Sequence, residues 1–125
     1  MKILLDTNSL IWILDGSDRI KATFQEIDGE DIYFSSLSLY EIAILQSIGR
    51  LKTTPAPSKT KTMALASGFR YLDIQTQCYD IYVNLPLHHK DPFDRMLIAQ
   101  AIAQNCSIVT SDKQLKAYDV NVIAV

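Results

Sequence analysis

Four acids stand where a carboxylate could do more than keep a surface wet. Asp6 ends the apolar run Lys2–Leu5 and is followed by more apolar chain. Glu41 comes three residues after Ser38, Asp94 three after Asp91, and Asp112 just after SIVT. Most of them have an ordinary explanation when taken singly. Ser38 and Glu41 have the spacing of a capping box, in which the serine accepts a backbone N–H and the glutamate reaches back. Asp91-Pro92-Phe93-Asp94 reads as an N-cap, a proline at the first helical position and a first-turn acid. Asp112 at a helix start would gain about 0.3–1 kcal/mol from the helix dipole. Asp6 is the exception. Burying an unpaired carboxylate costs several kcal/mol, and no cap evident in the sequence offsets it.

Several carboxylates gathered in one pocket repel each other and raise each other's pKa. A hard divalent cation removes that conflict. Mg²⁺ or Mn²⁺ takes oxygen ligands, keeps several waters, and is commonly shared between carboxylates and a substrate phosphate. His88 and His89 have no zinc-site spacing and read as loop or core histidines.

The elements that must gather these acids alternate. Apolar runs predict strands at Lys2–Leu5, Asp31–Ser35, Tyr71–Ile74, Ser107–Thr110 and Val120–Val125. Helices are predicted at Ser9–Leu14, Ile20–Ile27, Ser38–Gly49, Lys59–Phe69, Thr76–Asn84, Pro92–Asn105 and Asp112–Tyr118. Lys52–Ser58 is a proline-marked loop. The alternation predicts a three-layer α/β/α sandwich with a mainly parallel central sheet. Such sheets bind ligands at the carboxyl ends of their strands, where helices begin. All four acids fall at such positions and can converge if their strands are neighbours.

At 125 residues, with 48% hydrophobic and 21% charged, residues 1–125 make one domain with an adequate core. The N-terminal run resembles a secretory core until Asp6, Thr7 and Asn8 interrupt it, so neither a signal peptide nor a membrane span is expected. Cys78 and Cys106 sit in apolar segments and read as buried thiols of a reducing cytoplasm. The net charge of −2 argues against a protein that coats nucleic acid. The charge is polarised, however. From Ile42 to Leu72 there is no acid, only Arg50, Lys52, Lys59, Lys61 and Arg70, whereas Asp15–Asp31 holds six acids. A basic side of this kind can attract an anion; solvated helix faces and loops are the plain alternative.

The motifs resemble those of PIN-domain ribonucleases, in particular the VapC-type toxins of bacterial toxin–antitoxin pairs. LLDTN (Leu4–Asn8), SLYEIAI (Ser38–Ile44), HKDPFDRMLIAQA (His89–Ala101) and VTSD (Val109–Asp112) occur in family order over nearly the whole chain. LLDTN alone is weak; the third block is distinctive. The resemblance implies a catalytic acidic quartet of Asp6, Glu41, Asp94 and Asp112. Asp6, Asp94 and Asp112 would ligate Mg²⁺ or Mn²⁺ for hydrolysis of RNA phosphodiesters. Glu41 or Asp112 would orient the attacking water. It implies supporting roles for Thr7, Asn8 and Thr110, with Asp91 assigned to the helix cap. Arg50 and Lys52, in the basic segment that runs to Arg70, would guide RNA or touch the antitoxin, and Arg95 would meet a phosphate or pair with a nearby acid. A small antitoxin and a homodimer are the implied partners, the latter through Trp12, Ile13 or Tyr40 unless these are core.

Three other classes remain open. One is a PIN fold kept for RNA or protein docking without catalysis. A receiver-type phosphoacceptor would need clustered acids after its first strand, where Asp6 stands alone. A phosphatase of the haloacid dehalogenase type wants an aspartate at position 8, which is Asn8.

Overall fold

The computed structural model describes residues 1–125. Five strands, β1 (Lys2–Leu5), β2 (Asp31–Ser35), β3 (Arg70–Leu72), β4 (Ser107–Thr110) and β5 (Val122–Ala124), form one sheet in the order β3-β2-β1-β4-β5. Every pairing is parallel. Parallel strands covered on both faces read as continuous apolar runs rather than alternations. That is the character of KILL, the central strand, and of SIVT beside it.

Six α-helices cover the sheet: α1 (Thr7–Asp15), α2 (Asp18–Glu26), α3 (Ser36–Ser47), α4 (Pro57–Ala66), α5 (Thr76–Asn84) and α6 (Pro92–Gln104). The side-chain period of two along a strand separates the layers. Ile3, Leu5, Ile32, Phe34 and Val109 pack with Leu10, Ile20 and Ala64, from α1, α2 and α4. Leu4 and Ile108 point the other way, onto Leu97, Ile98 and Ala101 of α6. Helix α5 closes this layer through Cys78, Ile81 and Tyr82, against Met96 and Ala99. The three-layer sandwich is therefore as expected, and both cysteines are buried free thiols. No helix is long and apolar enough to cross a membrane.

Helix starts differ most from expectation. Helix α1 begins at Thr7, not Ser9, so strand and helix meet with only Asp6 between them. Helix α2 begins at Asp18 because Ser17 caps it, accepting the Arg19 N–H. Helix α3 begins at Ser36 with Ser35 as its cap, so Ser38 is already inside the first turn. The Ser38–Glu41 capping box does not form. Helix α4 starts at Pro57, whose missing N–H costs nothing at a first helical position. Helix ends obey the glycine signals. Gly16, at φ 70°, stops α1 by donating its N–H to the Ile13 carbonyl, and Gly49, at φ 76°, follows α3. The segment expected as a seventh helix is a 3₁₀ helix, Lys113–Ala117.

The strand order fixes where a ligand can sit. From β1 the chain winds outward to β2 and β3, then returns to the other side of β1 for β4 and β5. The reversal leaves a crevice outside the carboxyl ends of β1 and β4, with no crossover covering it.

Candidate metal centre

Asp6 is the first residue beyond β1. Its N–H donates to the Val109 carbonyl of β4 at 3.0 Å, and its Oδ1 accepts the Ser9 N–H at 2.8 Å. Asp6 is thus the N-cap of α1, a role the sequence did not disclose, and it is 6% exposed. Burial raises its pKa, hydrogen bonds from Ser9 and Thr110 oppose the rise, and the charge of Asp112 adds to it.

Asp112 holds the equivalent place after β4. It caps the 3₁₀ helix through Oδ1, which accepts the Gln114 N–H at 2.9 Å. Its own N–H donates to Thr110 Oγ1 at 3.0 Å. Thr110, 1% exposed, therefore joins the Asp6 carboxylate to the Asp112 backbone. Burial pushes the Asp112 carboxyl upward, but bonds from His89 and the Gln114 N–H outweigh it and leave the pKa lowered.

Glu41 reaches the crevice from α3. Its Oε1 is 2.6 Å from Thr7 Oγ1, which is also 3.0 Å from Ser38 Oγ. Burial raises its pKa, the Thr7 bond opposes, and the charges of Asp91 and Asp6 add. Asp94 stands in the first turn of α6, with Asp91 capping that helix through the Phe93 N–H at 2.9 Å. Burial first, then the charge of Asp91, push the Asp94 carboxyl up to about 7, with Asp6 and Asp112 adding smaller pushes.

The four acids share one hollow of about 240 Å³, lined also by Thr7, Asn8, Asp91 and Ser111, with no apolar residue. Two larger depressions bring no such acids together: an apolar groove between α3, α5 and the start of α6, and a shallow one around Asn105 and Asn121. Perturbed carboxylates converging in a cleft mark a functional site better than volume does. The donor set suits a hard divalent cation. It offers carboxylate oxygens, and Asp6, Glu41 and Asp94 all have pKa values raised first by burial and further by neighbouring acids, a cost to the ionised forms that a cation would relieve.

His89 is neither a free loop residue nor a core histidine. Its Nε2 lies 2.6 Å from Asp112 Oδ2 and 3.4 Å from Asp94 Oδ2. Its Nδ1 accepts the Asp91 N–H at 2.9 Å. Sequence spacing missed it; the only signal was its membership of the HKDPFDRMLIAQA block. Arg95 is also a correction. It neither meets the hollow nor pairs with an acid, but is 7% exposed and donates to the Pro86 and Tyr82 carbonyls and the Tyr118 hydroxyl. Arg50 and Lys52 are exposed beyond the far end of α3. Glu41 and the helix end at Ser47 are already about 9 Å apart along the axis.

A family model of the PIN domain matches residues 3–121. The chain belongs to the PIN-domain family. Solved structures agree on the fold. VapBC2 of Rickettsia felis, bound to a DNA fragment from its promoter, superposes with a TM-score of 0.74 at 18% identity, covering 99% of this chain and 98% of that one. FitAcB of Neisseria gonorrhoeae gives 0.70 at 22%, covering 97% and 96%. VapC20 of Mycobacterium tuberculosis, a toxin that cleaves the sarcin–ricin loop, gives 0.66 at 13%, covering 98% and 99%. No curated protein sequence matches. At these identities the likeness shows the PIN fold alone. The acidic hollow of this PIN domain stands on its own geometry.

Proposed function

We propose that this PIN domain is a metal-dependent endoribonuclease and the toxin of a toxin–antitoxin pair. One observation carries the reading: Asp6, Glu41, Asp94 and Asp112, from four separate segments, line a single polar hollow at the sheet's switch point. Asp6, Asp94 and Asp112 would hold Mg²⁺ or Mn²⁺. A cation there would polarise a phosphodiester, offset the charge that builds on it and lower the pKa of a bound water. Glu41, positioned by Thr7, would orient the attacking water and accept its proton. The uncapped N–H groups at the starts of α1 and α6 would favour the phosphate. Asn8 is exposed at the rim of the hollow and would touch the ribose–phosphate chain.

The VapBC2 and FitAcB neighbours support an antitoxin partner, and VapC20 supports an RNA substrate. An RNA substrate implies the cytoplasm. For a homodimer, Trp12 and Ile13 are poor candidates because they pack against the core. Tyr40 is 61% exposed beside the apolar groove, and Tyr79, Val83 and Leu87 are exposed on and just after α5. A second copy would sit on that face.

Purified protein should cut a mixed RNA pool with Mg²⁺ or Mn²⁺ and stop when EDTA is added. Asp94→Asn should abolish cutting with an unchanged circular dichroism spectrum. A fully active Asp94→Asn protein would reduce this acid to a first-turn charge. Metal binding without cutting would favour a docking module. Expression alone should arrest growth, and a small neighbouring gene should relieve it.

A further inference from the structure

Building on the cation-site reading above, we propose that His89 is a positioning residue: its Nε2–H orients Asp112 toward the cation, and its ring is not a ligand. Three observations lead there. First, Nδ1 accepts the Asp91 N–H at 2.9 Å. A nitrogen that accepts an N–H carries no proton, so the neutral ring bears its proton on Nε2 and donates to Asp112 Oδ2 at 2.6 Å. A protonated Nε2 has no lone pair for a metal. Secondly, Asp112 still has ligating capacity. Oδ1 accepts from Gln114 and Oδ2 from His89, which occupies two of the carboxylate's four acceptor positions. The two bonds fix the carboxylate plane without exhausting it.

Thirdly, the backbone that carries the ring is held from outside the hollow. The His89 backbone N–H donates to the Tyr118 hydroxyl at 3.0 Å. That hydroxyl also receives Arg95 Nη1 at 3.2 Å, while the same nitrogen donates to the Pro86 carbonyl at 3.0 Å. The buried Arg95 thus pins the Pro86–His89 loop. This chain of bonds accounts for a buried cation with no acid beside it. Outer partners that orient a ligand in this way typically change metal affinity or activity by about 10–100-fold when removed.

The test combines spectroscopy with two variants of the full chain. The protein has only two histidines, so loss of one set of ring signals in His89→Gln assigns the other to His88. Long-range ¹H–¹⁵N spectra at neutral pH should show His89 protonated on Nε2 and unprotonated on Nδ1, in EDTA and again with saturating Mg²⁺. An Nδ1–H tautomer, or an Nε2 that loses its proton on Mg²⁺ addition, overturns the proposal. By calorimetry His89→Ala should weaken Mg²⁺ binding about 10–100-fold. His89→Gln keeps an N–H donor and should recover most of that loss. On RNA, His89→Ala should lower kcat while leaving KM near wild type. Mg²⁺ affinity unchanged in His89→Ala also overturns the proposal. Should His89→Ala fail to fold, the wild-type tautomer and the His89→Gln affinity still decide. A wild-type protein that binds Mg²⁺ with these signatures but cuts no RNA would sink the nuclease reading and leave this one standing.

Discussion

Asp94 has the most strongly raised carboxyl of the four acids. Its carboxyl is pushed up to about 7 from an ordinary 3.8, first by burial and then by Asp91. The native state therefore holds this proton up to about pH 7, whereas the unfolded chain releases it near pH 4. Between those values the folded state binds more protons, so metal-free protein should lose stability as pH rises through that window. The loss is on the order of a few kcal/mol. Asp94→Asn lacks the titration. In EDTA at pH 8 it should melt above wild type, and Mg²⁺ should raise the melting temperature of wild type only. Mg²⁺ at a hundredfold over its Kd would add about 2.7 kcal/mol. A melting temperature for Asp94→Asn below wild type in EDTA would show that the carboxylate is not strained.

At the scale of elements, capping and ligation are not rival roles. Asp6 caps α1 through Oδ1 and Asp112 caps the 3₁₀ helix through Oδ1, and both still line the hollow. A helix that begins where a parallel strand ends needs an acceptor at that junction, and a carboxylate there is already aimed at the sheet edge. Asp91 separates the two functions. It caps α6 and also raises the pKa of Asp94. Asp91→Asn should keep the cap, melt close to wild type and lower the Asp94 pKa, read by carboxyl ¹³C shifts against pH. Asp91→Ala should lose about 1 kcal/mol with the cap as well. The packing behind these caps is tested by Leu97→Ala. Leu97 is 1% exposed on the helix that carries Asp94, so its truncation should cost about 2–5 kcal/mol in denaturant melts.

The whole molecule turns on its strand order, which puts β1 beside β4 and so joins residues a hundred positions apart. Its exposed apolar face makes a prediction at the same scale. Light scattering should give twice the 14.1 kDa of one chain, and Val83→Asp, at a residue 79% exposed, should return it to one chain without lowering its melting temperature. A monomeric wild type would leave that face without the proposed copy. Much of this architecture was legible in the sequence, because alternation and turn chemistry are local. KILL and SIVT read as buried strands, Asp91-Pro92 as a helix start, and the acids as residues of one sheet edge. Less was legible where a partner lies far along the chain. Ser38 binds Thr7 instead of capping, His89 meets Asp112, and Arg95 turns inward to Tyr118. Sequence alone determined which elements form and which residue types reach their ends. Only the tertiary structure decided which of those ends meet, because hydrogen bonds across the hollow depend on strand order and helix register, which no local pattern encodes.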